Sequence, residues 1–312
     1  MAKLREYQTL EVKSRYFDLQ TEISTPAEFD KFWLEIEGLE EECRYRGASE
    51  AKYMMYSSAQ RMWIEREIQS LGTDYKTFIK RLIDEAANWN NQTINNFFKT
   101  MDLSLLHPLA YLSYMQHFGV PTTLLDFSES PFMALFFMVE GISQWGTDNK
   151  IEHYASFYAV KKQNGELAEL FDYYYSEEEE SAEDEAKLFE RLFQLPFQMI
   201  FDREYYKGLL TNSRIVNQDG CFCQNNSPDR PLEQQYYDSL PNLQQLVRKD
   251  QKIDLFQDLG YSRKLARCWN INKNLKPYIL KKLREEKGIT RDFVYPDNSK
   301  LPTATLNAVL EA

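Results

Sequence analysis

The sequence predicts an α+β fold in which the strands of one sheet are separated by long helical inserts. Three observations carry this. Short apolar or alternating runs bounded by turn residues recur at "ECRYRG" (42–47), "PTTLLDF" (121–127), "HYASFYAV" (153–160) and within "SRIVNQDGCFCQN" (213–225). Between the first two runs, residues 59–110 keep a helical spacing of apolar positions. Near both ends, amphipathic segments carry recognisable start or stop signals.

The elements follow in order. The first 25 residues alternate loosely and suit an edge strand or a packed arm. "STPAEFDKFWLEIEGLEEE" then reads as a helix, because Ser24 or Thr25 can cap it, Pro26 falls in its first turn, and Phe29, Phe32, Trp33 and Ile36 share one face. A strand follows through Arg46 and is expected to break at Gly47. Ile64, Ile68 and Leu71, then Phe78, Leu82, Ile83 and Ala86, then Ile94, Phe97 and Phe98 mark three helices that end near "LHPLAYLSYMQHFG". "PTTLLDF" is apolar enough for a buried strand, and Ser128 or Ser130 with Pro131 opens a helix through Val139. Two more strands are expected at 153–160 and within 213–225, the latter punctuated at Gly220. The connection between them holds an acidic run and a short amphipathic helix, "KLFERLFQL". Toward the end, "NLKPYILKKLREEKGIT" is a helix with Ile279, Leu280 and Leu283 inward and Gly288 as its stop. No internal repeat is present.

Composition limits the function classes. The chain has 312 residues, 43% apolar and 14% aromatic, which is globular and long enough to bury a sizeable core. Four scattered cysteines do not make a disulfide framework, and Cys221-Phe-Cys223 lacks the gap and partner pair of a zinc site; a reduced, cytoplasmic protein is expected. The opening residues are charged and no run of 18 apolar residues occurs, so neither a signal peptide nor a membrane span is expected. A net charge of −11 opposes nucleic-acid binding. The charge is uneven: residues 248–291 hold thirteen Lys or Arg against five Asp or Glu, while 176–190 hold eight acids and one lysine. The simplest reading is a basic surface helix and a solvated acidic loop.

No P-loop, Rossmann glycine pattern, His-Glu-x-x-His or Gly-x-Ser-x-Gly occurs, and with only three histidines no His-rich metal site is expected. Two stretches remain. Arg46 stands at a strand end before Gly47, where a guanidinium can grip a phosphate and the backbone can approach a ligand; the alternative is a surface arginine in a turn. Residues 116–129 crowd His117, Thr122, Thr123, Asp126, Ser128 and Glu129 around a strand and a helix start, a place for an anionic or ribose-bearing ligand. The alternative there is an N-cap and a satisfied core aspartate.

In sequence order, "YRG" with "YSSAQR", "QHFGVPTTLLDFSESPFMALFF", "RIVNQDGCF", and a helix leading to "GITRDFVYPD" resemble the successive motifs of the FRG domain, over roughly residues 40–297. Residues 1–39 would then form an arm and helix, 172–190 an acidic insert, and 298–312 a tail. Thr123 departs from the pattern, which has arginine there. The resemblance implies an ADP-ribosyltransferase-like mixed β core with long helical inserts and a C-terminal helix. It implies NAD as a substrate, cleaved or used to transfer ADP-ribose, and a bacterial toxin or phage-defence setting. On this analogy Arg46, Asp126 and Gln218 are the catalytic candidates. Tyr45, Gly47, His117, Thr122, Thr123, Phe127 and Ser128 are the cofactor-binding ones, with Tyr45 or Phe127 stacking on nicotinamide. The acceptor would be a macromolecule, protein rather than nucleic acid. Two alternatives stay open: a non-catalytic module binding a protein or nucleotide, and a nucleic-acid-modifying enzyme using the basic region.

Overall fold

Successive side chains of a strand point to opposite sides of a sheet, so the alternation Cys43, Tyr45, Gly47 against Arg44, Arg46 sets which layer each residue meets. The computed structural model describes residues 3–39, 43–88, 108–117, 119–143, 150–164, 167, 185–200 and 217–295. Its strands are β1 (Phe17–Leu19), β2 (Cys43–Ala48), β3 (Leu124–Ser128), β4 (Tyr154–Lys161), β5 (Phe197–Ile200), β6 (Gly220–Asn225) and β7 (Ala266–Asn272). They form one seven-stranded sheet ordered β1-β7-β4-β2-β3-β6-β5, antiparallel except for the β1–β7 pair. The α-helices are α1 (Leu10–Lys13), α2 (Pro26–Glu37), α3 (Ser58–Glu65), α4 (Tyr75–Asn88), α5 (Pro108–His117), α6 (Pro131–Glu140), α7 (Glu185–Gln194), α8 (Leu232–Gln251), α9 (Lys276–Lys287) and α10 (Arg291–Val294). The architecture is α+β.

One face of the sheet presents Tyr45, Phe157 and Trp269 to α2, α6 and α9. α2 is fixed at its start by a capping box, in which Thr25 accepts from the Glu28 amide and Glu28 accepts from the Thr25 amide. Its apolar face, Phe29, Phe32, Trp33 and Ile36, is wholly buried, each side chain contributing roughly 1.5–3 kcal/mol. The other face presents Leu125, Phe127, Tyr158 and Cys268 to α8 and the N-terminal arm. A third cluster joins α3, α4, α5 and α7 to Leu124 and Phe222 beside β3 and β6.

The N-terminal arm is pinned by buried polar groups. Lys13 is fully enclosed, its Nζ donating to the Ala51 carbonyl at 3.1 Å, to Ser156 Oγ and to Asn270 Oδ1 at 3.2 Å. Tyr7 donates its hydroxyl to the buried Glu233 carboxyl. Burial pushes the Lys13 ammonium down from its ordinary value and the Glu233 carboxyl up.

Several details differ from the sequence expectations. β2 runs through Gly47 to Ala48 instead of ending there. β5, β7 and α8 were not expected. Residues 248–291 are not one basic helix, since β7 occupies their middle. Part of their positive charge is matched by neighbours: Lys282 pairs with Asp30 at 3.1 Å, Lys287 with Glu37 at 2.8 Å, Lys273 with Glu50 at 2.5 Å, and Arg267 with Glu35. α2 thus offers acids to bases of α9 and β7, while Arg248, Lys281, Arg284 and Arg291 keep exposed side chains. The helix expected at Ile94–Phe98, the acidic run 177–184 and the tail 298–312 lie outside the described residues. All four cysteines are buried. Among the described residues no helix is long and apolar enough to cross a membrane.

Candidate functional site

The sheet opens between β2 and β3. β2 pairs with β4 at six consecutive positions, yet with β3 only where Tyr45 meets Ser128. Beyond that pair the strands separate, and a cleft of about 370 Å³ enters the gap. Arg46 bridges it: its guanidinium donates to the Asp126 carbonyl, taking the place of a ladder bond from a β2 amide, and lies 5.7 Å from the centre of the Phe127 ring. Burial pushes the guanidinium down from its ordinary value, Asp126 opposes this and Arg61 adds to it; an arginine starts so high that it stays charged.

Each letter of Tyr45-Arg46-Gly47 therefore has its own task. Tyr45 is wholly buried, with its ring stacked on Phe157 at 5.6 Å and 28°. That ring belongs to the core, although Tyr45 is also among the residues that line the cleft. Arg46, one residue on, turns to the opposite side of the strand and into the gap. Gly47 lets α6 lie directly on β2: a Cβ there would stand 2.0 Å from the Ala134 carbonyl oxygen and 2.7 Å from Met138. Its first requirement is helix packing, although its backbone also lines the cleft.

Asp126 is the exposed residue of an otherwise buried strand and lines the same cleft. Gln116, on α5, donates its amide to both carboxylate oxygens, at 3.1 and 3.0 Å. The Gly-Val-Pro turn folds α5 back onto β3, which is how residues ten apart come to face one another. Gly119 takes φ +72°, a left-handed conformation that suits glycine. Phe137 and Tyr295 add aromatic walls, and the Tyr295 hydroxyl donates to Glu140 at 2.7 Å.

The remaining candidates divide. Phe127 and Ser128 line the cleft. Ser128 donates to the Gln218 carbonyl at 2.8 Å and accepts from the Ser130 amide at 3.1 Å, while Ser130 caps α6. Thr122 and Thr123 are fully buried and do not line the cleft. Thr122 is tied to α3 through Ser58, whose Oγ lies 2.9 Å from the Thr122 amide. Glu129 pairs with Arg44 at 2.7 Å. His117 ends α5, and its side chain lies outside the described residues.

Gln218 lines the cleft, but from the turn before β6 and not from a strand. Asp219 takes φ 46°, so strand alternation does not set the directions of these two side chains. The Gln218 amide donates to the Val294 carbonyl at 3.3 Å, joining the turn to α10. Gln116, Phe137 and Tyr295 are lining residues that the sequence reading did not select. All three stand inside the motifs that carried the resemblance, and that position was the available signal. Among the described residues no group of three or more His, Cys, Asp or Glu could hold a metal ion.

Residues 41–146 match the family model of the FRG domain. The match holds β2, α3 to α6 and β3, and with them Arg46, Gln116 and Asp126. No curated protein and no solved structure matches the chain.

Proposed function

We propose, from the premise that this chain carries an FRG domain at residues 41–146, that the cleft between β2 and β3 binds NAD and cleaves its nicotinamide–ribose bond, passing ADP-ribose to an acceptor. The observation that carries the reading is the convergence of one guanidinium, Arg46, and one exposed carboxylate, Asp126, on an aromatic-walled cleft at the split of the sheet. Arg46 supplies a fixed cation for a phosphate or ribose oxygen. Phe137 and Tyr295 offer ring faces to a base or to nicotinamide.

The bond between ribose C1′ and the nicotinamide nitrogen breaks with its electron pair leaving on nicotinamide, through an oxocarbenium-like centre. Asp126 takes the proton of the acceptor hydroxyl or water as its oxygen bonds to C1′. An amide has no proton affinity near neutral pH, so Gln218 orients and does not act as a base. The test is incubation with NAD labelled in both halves and a cell lysate. Free nicotinamide together with labelled macromolecules is expected, and Asp126→Asn is expected to bind NAD while releasing none.

One feature favours a second reading, a nucleotide-binding module without turnover. The third catalytic candidate, Gln218, is an amide already engaged with α10, and not a carboxylate. NAD binding without nicotinamide release from the wild-type protein selects that reading.

A further inference from the structure

We infer that Gln116 is a positioning residue that aims the Asp126 carboxylate into the cleft, and that buried Thr122 sets the sense of the Gln116 amide. The inference rests on the reading of Asp126 as the group that takes the acceptor's proton. It follows from a chain of hydrogen bonds with one consistent direction. The Leu124 amide lies 3.2 Å from Thr122 Oγ1 and can only donate to it. The hydroxyl hydrogen of Thr122 is then free to go to Gln116 Oε1, its other partner. With its oxygen so occupied, Gln116 turns its NH₂ toward Asp126, at 3.1 Å from Oδ1 and 3.0 Å from Oδ2. The flipped amide would set its oxygen against a carboxylate, acceptor against acceptor, and would leave the Thr122 hydroxyl hydrogen without its acceptor.

The chain starts in a rigid place. Thr122 is fully buried, its carbonyl accepts from the Ala59 amide at 2.9 Å, and its amide donates to Ser58 Oγ at 2.9 Å. The main chain of Asp126 is held from the other side by Arg46 at its carbonyl. Asp126 is therefore clamped at backbone and side chain by two different elements, β2 and α5, although its surface is exposed to the cleft. This gives Thr122 a function without ligand contact, and explains why a threonine that cannot reach the cleft accompanies residues that do.

Full-length variants test the inference with NAD as the probe. Gln116→Glu keeps the side-chain size but sets a second carboxylate against Asp126. Thr122→Val removes the hydroxyl at nearly constant volume, and Thr122→Ser keeps it. Nicotinamide release is expected to fall about 10- to 100-fold in Gln116→Glu, with the calorimetric Kd for NAD within about threefold of wild type, as a misaimed group produces. Thr122→Val should lose release in the same way, and Thr122→Ser should recover most of it. Unchanged release in Gln116→Glu overturns the inference, as does equal loss in Thr122→Ser and Thr122→Val when circular dichroism finds both folded. If the wild-type protein releases no nicotinamide, the NAD-cleaving reading fails separately and NMR decides the positioning. The Gln116 side-chain amide should then exchange slowly with solvent in the wild type and faster in Thr122→Val and Asp126→Asn. Fast exchange in the wild type overturns the inference.

Discussion

Gly47→Ala separates the packing role of the Tyr-Arg-Gly glycine from a ligand-binding one. The new methyl would stand 2.0 Å from the Ala134 carbonyl oxygen and 2.7 Å from the Met138 N and Cβ atoms. Real Cβ atoms essentially never come within 3.0 Å of such an atom, so α6 and β2 must part by at least about 1 Å. The atoms in the way are helix backbone, not the end of a flexible side chain. α6 is also held on its other sides, with Phe132, Met133, Leu135, Phe136, Met138 and Val139 all buried. Overpacking costs about 1–3 kcal/mol where side chains can yield, and this site belongs at the upper end, about 3 kcal/mol. With a urea dependence of roughly 3 kcal/mol/M, the unfolding midpoint should drop by about 1 M. Equilibrium urea unfolding followed by circular dichroism measures it. An unchanged midpoint combined with lost NAD binding would refute the packing argument and return Gly47 to the ligand.

Glu233→Gln leaves Lys13 buried without its nearby carboxyl. Lys13 has a lowered folded value, so the folded state binds fewer protons than the unfolded one below the ordinary lysine pKa of about 10.4. The stability it contributes is complete above that value and is lost as pH falls toward the folded value. Glu233 has a raised folded value and acts in the opposite sense, its contribution being lost as pH rises. Removing Glu233 should therefore make stability rise with pH on approaching the ordinary lysine value of about 10.4 from below, and a flat or falling profile there in thermal unfolding would contradict the burial argument. For RNA and DNA, no binding with a steep salt dependence is expected, because the net charge of −11 opposes it; a tight, salt-sensitive gel shift would count against this.

The legible parts of the fold were those where local chemistry and tertiary context agree. α2 has a cap, an early proline and a clean apolar face, and the structure uses all three. β2, β3, β4, α6 and α9 were readable for similar reasons. β7 was not, because its buried face includes Asn270, a polar residue that becomes buried only through its partners Lys13 and Ser156. α8 carries Pro241 and many glutamines, so its apolar stripe of Leu232, Tyr236, Leu240, Leu243 and Val247 is diluted. At the site, the structure places Arg46, read from its position before Gly47, and Asp126, read from the polar cluster of 116–129, in one cleft. Thr122 and Thr123 read as ligand contacts, since burial of a small hydroxyl cannot be told from its sequence neighbours. Gln218 falls in the turn before β6 and not on the strand expected within 213–225, because Asp219 beside it takes a positive φ.

The central claim is that Arg46 and the cleft it bridges hold NAD, and calorimetry of NAD with wild-type protein and Arg46→Ala tests it most directly. Losing a charged hydrogen-bond donor should cost about 2 kcal/mol, a roughly 30-fold weaker Kd, with the circular dichroism spectrum unchanged. Equal affinity in the two proteins, or no NAD binding by the wild type, would contradict the account.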